Sequence, residues 1–157
     1  MTSAIQVREV PAQHVLVKKT TCTHKEIGPA FGVAIRSVEE CFKASGAKMI
    51  GAPIAVYLHW RDSDCDMAVG CKVEGEITLS NACDWLDVPA GPHAFASHVG
   101  PYDTLHETHA AIRNWCASHG APISGPCWET YPIDPALEPD AAKWQTDVYY
   151  PVQQVSD

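Results

Sequence analysis

A single glutamate interrupts an apolar and aromatic segment near the carboxyl end of the chain. Residues 125–131 read G-P-C-W-E-T-Y, which is typical of a buried strand bounded by glycine and proline. Strand alternation places Cys127, Glu129 and Tyr131 on one face and Trp128 on the other. Burying a carboxylate among aromatic side chains costs free energy unless a hydrogen bond or an opposite charge compensates it. The segment therefore predicts a site in which Glu129 recognises a charged ligand or transfers a proton.

The chain carries the same order of elements twice. Val-Pro-Ala recurs after 78 residues (88 − 10), each time followed by an alternating apolar stretch. The helical spacing of apolar residues then predicts one helix over about 25–44 and a second over about 104–118. Gly46 and Gly120 follow these helices at an offset of 74 (120 − 46), as C-terminal caps commonly do. The two helices thus belong to two copies of one module.

Strand-like segments complete each copy and define the fold class. They lie at about 53–60 and 66–74 in the first copy, and at about 126–132 and 145–152 in the second. The prediction is an α+β fold, a tandem pseudo-twofold repeat of strand-strand-helix-strand-strand, with repeat one over about 4–76 and repeat two over about 85–153. Because each copy is too small to bury its own helix and sheet, we expect a single domain over 1–157. Its shared antiparallel sheet would carry both helices on one side and a ligand cleft at the repeat interface.

The repeat also shows that this fold does not require a carboxylate at position 129. The offset of 74 aligns Glu129 with Ala55 (129 − 74) and Tyr131 with Tyr57 (131 − 74). We expect Tyr57 and Tyr131 to flank the cleft with Glu129 beside it, a composition suited to cations and polarisable rings. The alternative is an edge strand with Glu129 in water and both tyrosines as ordinary sheet residues.

Composition argues against several classes of partner. The net charge is −8 and no basic cluster exceeds the pair Lys18 and Lys19, so a nucleic-acid surface is not expected. No apolar run approaches the ~20 residues that span a bilayer, and the start of the chain lacks a secretory signal. These features predict a cytoplasmic protein without a membrane partner.

The cysteines and histidines do not form a recognisable metal or disulfide framework. Seven cysteines without a C-x-x-C pair indicate reduced thiols. His106 and His109 are three residues apart on the second predicted helix, where an exposed helical face is favoured over a metal site. Neither a metal nor a cofactor is predicted. Residues 134–143, rich in proline and acidic side chains, predict an excursion with a short helix, or a lid.

Four segments, taken with their spacing, carry a family resemblance. They are G-A-P-I-A-V-Y (51–57), L-D-V-P-A-G-P-H-A-F-A-S-H-V-G-P-Y-D-T-L (86–105), G-P-C-W-E-T-Y (125–131) and W-Q-T-D-V-Y-Y-P-V (144–152). Together they resemble the GyrI-like small-molecule-binding family, the effector-binding domain of AraC-type and multidrug-responsive transcription regulators. The likeness extends over nearly the whole chain.

The resemblance implies a ligand pocket with named residues. In this family a glutamate in the third strand of the second half lies in the pocket among aromatic side chains, and by motif it is Glu129. The matching motifs imply Tyr57 and Tyr149 as pocket aromatics, and Trp128 also follows the motif although alternation turns it to the other face. Tyr131 joins this ligand-binding set, whereas Tyr102 is expected to fix a strand-to-helix corner. Family regulators carry a helix-turn-helix ahead of this domain, which here starts at about residue 4, so direct DNA binding is not expected.

Three functions follow from the resemblance. The first is a stand-alone binding module for lipophilic, aromatic or cationic small molecules, in drug or toxin sequestration. The second is a hydrolase that opens reactive cyclopropane-bearing electrophiles in detoxification, with Glu129 as the catalytic residue that activates water or donates a proton. The third is an acidic interaction module that protects a protein partner such as a topoisomerase. Cys127 is a further candidate, as an electrophile trap, but buried cysteines are usually inert.

Overall fold

The computed structural model describes residues 1–79 and 82–153. Its strands are β1 (Gln6–Val10), β2 (Gln13–Thr23), β3 (Lys48–Trp60), β4 (Asp64–Glu74), β5 (Asp84–Val88), β6 (Gly91–Val99), β7 (Trp128–Thr130) and β8 (Gln145–Pro151). Its helices are α1 (Ile27–Ala44) and α2 (Leu105–Ser118), with short 3-10 turns at His24–Glu26, Tyr102–Thr104 and Ala141–Lys143. The order strand-strand-helix-strand-strand therefore occurs twice, and the predicted α+β class is confirmed.

The first compact unit runs from Ala12 to Pro89. Its antiparallel sheet has the order β3-β4-β2-β5, with α1 packed against it. The core on the helix side joins Leu16 and Cys71 of the sheet to Val38 and Phe42 of α1. Periodic apolar residues on α1 thus meet alternating apolar residues on the strands, as the sequence pattern predicts.

The second compact unit joins Met1–Pro11 to the chain from Ala90 onward. Its antiparallel sheet has the order β1-β6-β8-β7, and α2 packs against β6 and β8. Ala94, Val148 and Tyr150 of the sheet meet Ile112 of α2 in the core. Every residue of the site described below except Tyr57 belongs to this unit.

The compact units and the sequence repeats do not coincide. β1 precedes the first repeat's helix, yet it pairs with β6, from Gln6 opposite Phe95 to Val10 opposite Gly91. β5 begins the second repeat, yet it pairs with β2 of the first. Each unit therefore takes one edge strand from the other repeat, which periodicity alone does not reveal.

Both helices end in the same backbone motif. Gly46 and Gly120 have φ of 73° and 61°, the left-handed region that favours glycine. The next N–H donates back across the turn, from Ala47 to the Phe42 carbonyl (2.9 Å) and from Ala121 to the Cys116 carbonyl (3.0 Å). The predicted caps are confirmed. Within the described residues, neither helix has the length and apolar character needed to cross a bilayer.

The segment after β7 is largely irregular. β7 has three residues, fewer than the seven predicted over 126–132, because the prolines at both ends of that range lack an N–H for the ladder. Within residues 134–143, the 3-10 turn Ala141–Lys143 begins where the Asp140 side chain accepts a hydrogen bond from the Ala142 N–H. The expected short helix is therefore a single turn.

Candidate functional site

Glu129 lies in the middle of β7 and is 1% exposed. It stands opposite Val148 of β8, while its repeat counterpart Ala55 is also buried and stands opposite Val69 of β4. The alternative of a water-facing glutamate on an edge strand is therefore wrong. This equivalent strand position is buried in both repeats, and it carries an ionisable side chain in the second repeat but an alanine in the first.

The side chains of His109 and Tyr131 both bind the Glu129 carboxylate. His109 Nε2 donates to Oε2 at 2.6 Å, and the Tyr131 hydroxyl donates to Oε1 at 2.7 Å. Tyr131 reaches it because residues two apart on a strand share a face. These contacts offset the desolvation of the carboxylate with a counter-charge and two hydrogen bonds.

The expectation of an exposed helical face was wrong for His109. Its side chain is only 15% exposed, whereas His106 is exposed. The signal was present in the sequence, because His109 lies four residues after Leu105 and three before Ile112, within the apolar stripe of α2. A histidine on that stripe must face the sheet.

The hydrogen bonds continue from His109 to a tyrosine and an arginine. His109 Nδ1 lies 2.6 Å from the Tyr150 hydroxyl, and Arg113 Nη1 donates to that hydroxyl at 3.1 Å. Cys127, on the same face of the chain as Glu129, is partly buried and packs against the core formed by α2 and β8. Sequence reasoning missed Tyr150 and Arg113. Tyr150 shares the strand parity of the buried Val148, which is the only signal that marks it.

The His109 imidazole is charged at neutral pH. Burial disfavours the imidazolium, but hydrogen bonds with Cys127 and Glu129 and the charge of Glu129 outweigh it and raise the pKa of His109 to about 9. Both ring nitrogens then donate, to Glu129 and to Tyr150. Burial raises the pKa of Tyr150 further above its usual range, so this phenol stays neutral. The buried site is thus an ion pair extended by a neutral hydroxyl.

Three rings at the edge of this site form what we call the outer aromatic cluster: Tyr102, Tyr131 and Trp144. Tyr102 meets Tyr131 edge to face at 6.2 Å between ring centroids and Trp144 at 5.1 Å. Tyr102 is 39% exposed, and Trp144 Nε1 donates to the carbonyl of Glu138 at 2.8 Å, which ties the 134–143 segment to the cluster. An accessible aromatic surface therefore leads to the tyrosine that holds Glu129.

Hydrogen bonds of His98, in addition to Tyr102, stabilise the corner between β6 and α2. His98 is 1% exposed, and its Nδ1 lies 2.8 Å from the Thr108 hydroxyl. Its Nε2 lies 3.1 Å from both the Pro101 carbonyl and the Thr104 hydroxyl. Tyr102 begins the 3-10 turn at this corner, as expected, and also contributes its ring to the outer aromatic cluster.

Trp128 and Tyr149 form a separate group on the other face of the sheet. Their rings stack at 3.9 Å and 6°, and His93 meets Trp128 edge to face at 5.6 Å. Among the described residues, buried Trp128 Nε1 and His93 Nε2 have no hydrogen-bond partner. These contacts confirm the alternation predicted for 125–131. They also divide the predicted ligand-binding residues between two faces.

Tyr57 is far along the chain from the other four predicted ligand-binding residues. It is on β3, in the compact unit that runs from Ala12 to Pro89, and its ring meets Trp60 edge to face at 5.6 Å. Of the five predicted ligand-binding residues, the structure joins Glu129 to Tyr131 and Trp128 to Tyr149. Within the described residues, no cluster of three or more His, Cys, Asp and Glu side chains is placed to hold a metal ion.

A family model described as the GyrI-like small molecule binding domain matches residues 3–153. The chain belongs to this family. No curated protein matches it. Membership makes it a small-molecule binding domain by class and confirms the resemblance found in its motifs.

Solved structures share its fold at low sequence identity. The EcmrR C-terminal domain is 20% identical, with 97% of this chain and 98% of that chain covered and a TM-score of 0.80. The chain spans 58% of the EcmrR chain solved in a DNA complex, with a TM-score of 0.81. SAV2435 bound to tetraphenylphosphonium is 11% identical over 96% and 94% of the two chains, at a TM-score of 0.66. A hydrolase from Listeria innocua encoded by lin2189 is also 11% identical. The match covers 95% of this chain and 91% of that chain, with a TM-score of 0.64.

Proposed function

We propose that this protein binds lipophilic aromatic small molecules through the outer aromatic cluster and the Glu129 carboxylate behind it. The observation that carries the proposal is the Tyr131 hydroxyl, which belongs to a partly exposed ring cluster and holds Oε1 of a buried carboxylate. Rings supply the contact area that apolar ligands need, and one charge supplies selectivity. The tetraphenylphosphonium complex of SAV2435 supports a ligand of this class.

The ion pair with His109 changes how much Glu129 contributes to the affinity for a charged ligand. His109 occupies Oε2 and its imidazolium balances the carboxylate charge. We expect a cationic ligand to gain from Glu129 by replacing the Tyr131 hydroxyl near Oε1. We therefore expect shape and ring contacts to supply most of the affinity, and the carboxylate to discriminate cations from anions of the same shape.

The test compares ligands of one shape and different charge. Calorimetric titration with tetraphenylphosphonium, tetraphenylborate and neutral triphenylphosphine oxide is expected to rank the cation first and the anion last. Glu129→Gln is expected to weaken the cation about tenfold, which corresponds to ~1.4 kcal/mol, and the neutral ligand less than threefold. Glu107→Gln, on the exposed face of α2, is the matched control. Equal losses of affinity for the cation and the neutral ligand would contradict the proposal that Glu129 recognises the ligand's charge.

Tyr57, Trp128 and Tyr149 stay predicted ligand contacts. Each is tested by alanine substitution in the same titration, with the melting temperature recorded to separate binding from folding. For Trp128 and Tyr149, an altered affinity at unchanged stability would support a ligand contact on the face opposite Glu129. Loss of stability alone would assign the stacked pair to packing.

Hydrolysis is a second candidate, favoured by the hydrogen-bonded Glu129–His109 pair. In the reaction, a water oxygen bonds to a cyclopropane carbon, the strained C–C bond breaks, and its electron pair passes into a conjugated carbonyl that is protonated as a phenol. The pair offers a carboxylate and an imidazolium for these two proton transfers. A product one water heavier, formed by wild type and not by Glu129→Gln, would establish it. The acidic module protecting a protein partner stays a prediction, tested by salt-sensitive binding to a basic protein.

A further inference from the structure

Two cysteines from different elements meet in the compact unit that runs from Ala12 to Pro89. Cys41 is on α1, and Cys83 directly precedes β5, 42 residues further along the chain. The Cys41 thiol donates to Cys83 Sγ at 3.0 Å, and the Cys83 thiol donates to the Ser37 carbonyl oxygen at 3.7 Å. Both side chains are buried in the core that joins the sheet to α1. The fold thus holds two sulfurs in direct contact.

A cavity of about 380 Å³ lies between α1 and the chain that leads to β5. Cys41 and Ala44 line it from the helix, and Thr78 and Ala82 line it from the chain before β5. The lining residues Glu40, Ala44 and Thr78 are exposed, so the cavity opens to solvent. Because one water takes ~30 Å³, a small polar oxidant has room beside Cys41.

We propose that hydrogen peroxide joins Cys41 and Cys83 in a disulfide that ties α1 to the start of β5. From their separation of 3.0 Å, the two sulfurs must approach by about 1 Å to reach the S–S bond length of ~2.05 Å. The inference goes beyond the proposed function and does not depend on it, because neither cysteine belongs to the unit that carries Glu129.

Oxidation begins at Cys41, which borders the cavity. Burial raises the pKa of Cys83 to about 12, so its thiol stays protonated until the second step. The Cys41 thiolate sulfur bonds to one peroxide oxygen, the O–O bond breaks, and the other oxygen leaves as hydroxide, which takes the proton that Cys41 lost. The Cys83 sulfur then bonds to the Cys41 sulfur, the S–O bond breaks, and the hydroxyl leaves with the Cys83 proton as water. Two thiols and one peroxide thus give one disulfide and two waters.

Cys22 and Cys65 provide a control pair within the same compact unit. They stand directly opposite each other on β2 and β4. Side chains in this position have Cβ atoms ~4.5–5.5 Å apart, whereas disulfides need ~3.5–4.5 Å. If backbone proximity were sufficient, this pair would be oxidised as readily as Cys41 and Cys83. The thiol contact beside an open cavity favours Cys41 and Cys83 instead.

The experiment treats the native protein with hydrogen peroxide, then unfolds it and alkylates the remaining thiols with N-ethylmaleimide. We expect intact mass to show the loss of two hydrogens and alkylation at five of the seven cysteines (7 − 2). Peptide mapping should find Cys41 linked to Cys83 at least tenfold above any link between Cys22 and Cys65. Dithiothreitol should restore alkylation at all seven. A dominant link between Cys22 and Cys65, or seven alkylated cysteines after peroxide, would overturn the proposal.

Two variants and a melting curve test the consequence of the link. Cys83→Ser should give no link, and Cys22→Ser, the matched control, should oxidise like wild type. Because the disulfide joins residues 42 apart in the chain, oxidised wild type should melt about 5–10 °C above the reduced protein. Equal melting temperatures for the two forms would overturn the tie between α1 and β5. The peptide map uses wild type, so a folding defect in Cys83→Ser leaves the test intact.

Discussion

At the scale of single residues, the energetics of the site depend on pairing two buried charges. Glu129 is 1% exposed, and either member of its pair with His109 would be costly to bury alone. The Tyr131 and Tyr150 hydroxyls hydrogen-bond to the outer atoms of the pair. The pair is best treated as a unit, because removing one member leaves the other uncompensated.

We predict strong coupling in a double-mutant cycle at this pair. Glu129→Gln and His109→Gln are each expected to lower the free energy of unfolding by about 3 kcal/mol, the size typical of breaking a buried pair. The double variant should lose clearly less than the sum. Urea denaturation measures all four proteins, and His106→Gln on the exposed side of α2 is the control. Additive losses would show that the two side chains do not act as a unit.

The raised pKa of His109 predicts a loss of stability in alkali. Because the folded state holds this proton more tightly than the unfolded chain, its contribution is complete below about pH 6.5 and disappears as pH rises through about 9. The pKa of His109 rises from 6.5 to about 9, so at ~1.4 kcal/mol per pKa unit the change is on the order of 3 kcal/mol. Denaturation between pH 6 and 10 measures it. His109→Gln should flatten the profile in this window, and an unchanged slope in that variant would refute the assignment.

At the scale of elements, backbone contacts determine which glycines are required. Gly70 on β4 stands opposite Val17 of β2, and a Cβ built there would lie 1.7 Å from the carbonyl oxygen of Leu16. This close approach of two strands excludes any side chain. Gly28, in the first turn of α1, would place its Cβ in open space.

The same substitution at these two glycines should therefore have opposite effects. Gly70→Ala must push β4 away from β2 and is expected to cost about 3 kcal/mol or more. Gly28→Ala removes backbone freedom from the unfolded chain and is expected to stabilise by about 0.5–1 kcal/mol. Melting temperatures of the two variants give the comparison. A mild effect at Gly70 would mean that the strands separate more easily than their pairing indicates.

At the scale of the whole molecule, the exchange of edge strands decides which residues fold together. β1 is bound to β6 by its ladder, and the guanidinium of Arg8 lies 3.8 Å from the ring centre of Phe95. The Thr2 hydroxyl also meets that of Thr108 on α2 at 2.6 Å. The first residues of the chain thus complete the unit formed by the chain from Ala90 onward.

Removal of residues 1–11 should accordingly weaken first the compact unit that contains β6. We expect hydrogen exchange in β6 to accelerate at least tenfold, because its partner strand is gone, while β2 keeps its protection through β4 and β5. Exchange measured by mass spectrometry on peptides from both strands provides the comparison. Arg8→Ala, which keeps the ladder but removes the cation over Phe95, should give a smaller effect. Equal acceleration in β2 and β6 would contradict this assignment.

The sequence by itself determined the features that depend on short-range physics. Apolar spacing specified both helices, glycines 74 residues apart specified their caps, and strand alternation placed Glu129 and Tyr131 on one face and Trp128 on the other. The repeat also singled out Glu129 by aligning it with an alanine. Motifs spread over the chain identified the family, since their spacing reflects the order of elements.

Only the tertiary structure decided which side chains meet. His109 is 20 residues from Glu129 in the sequence and lies on another element, so no local pattern pairs them. Motif reasoning selected Tyr149, whereas the register of β8 against β7 stacks Tyr149 on Trp128 and places the Tyr150 hydroxyl on His109. β1 joined the other repeat for the same reason. Strand register and helix docking depend on the fit of distant surfaces, which a periodic pattern allows but does not specify.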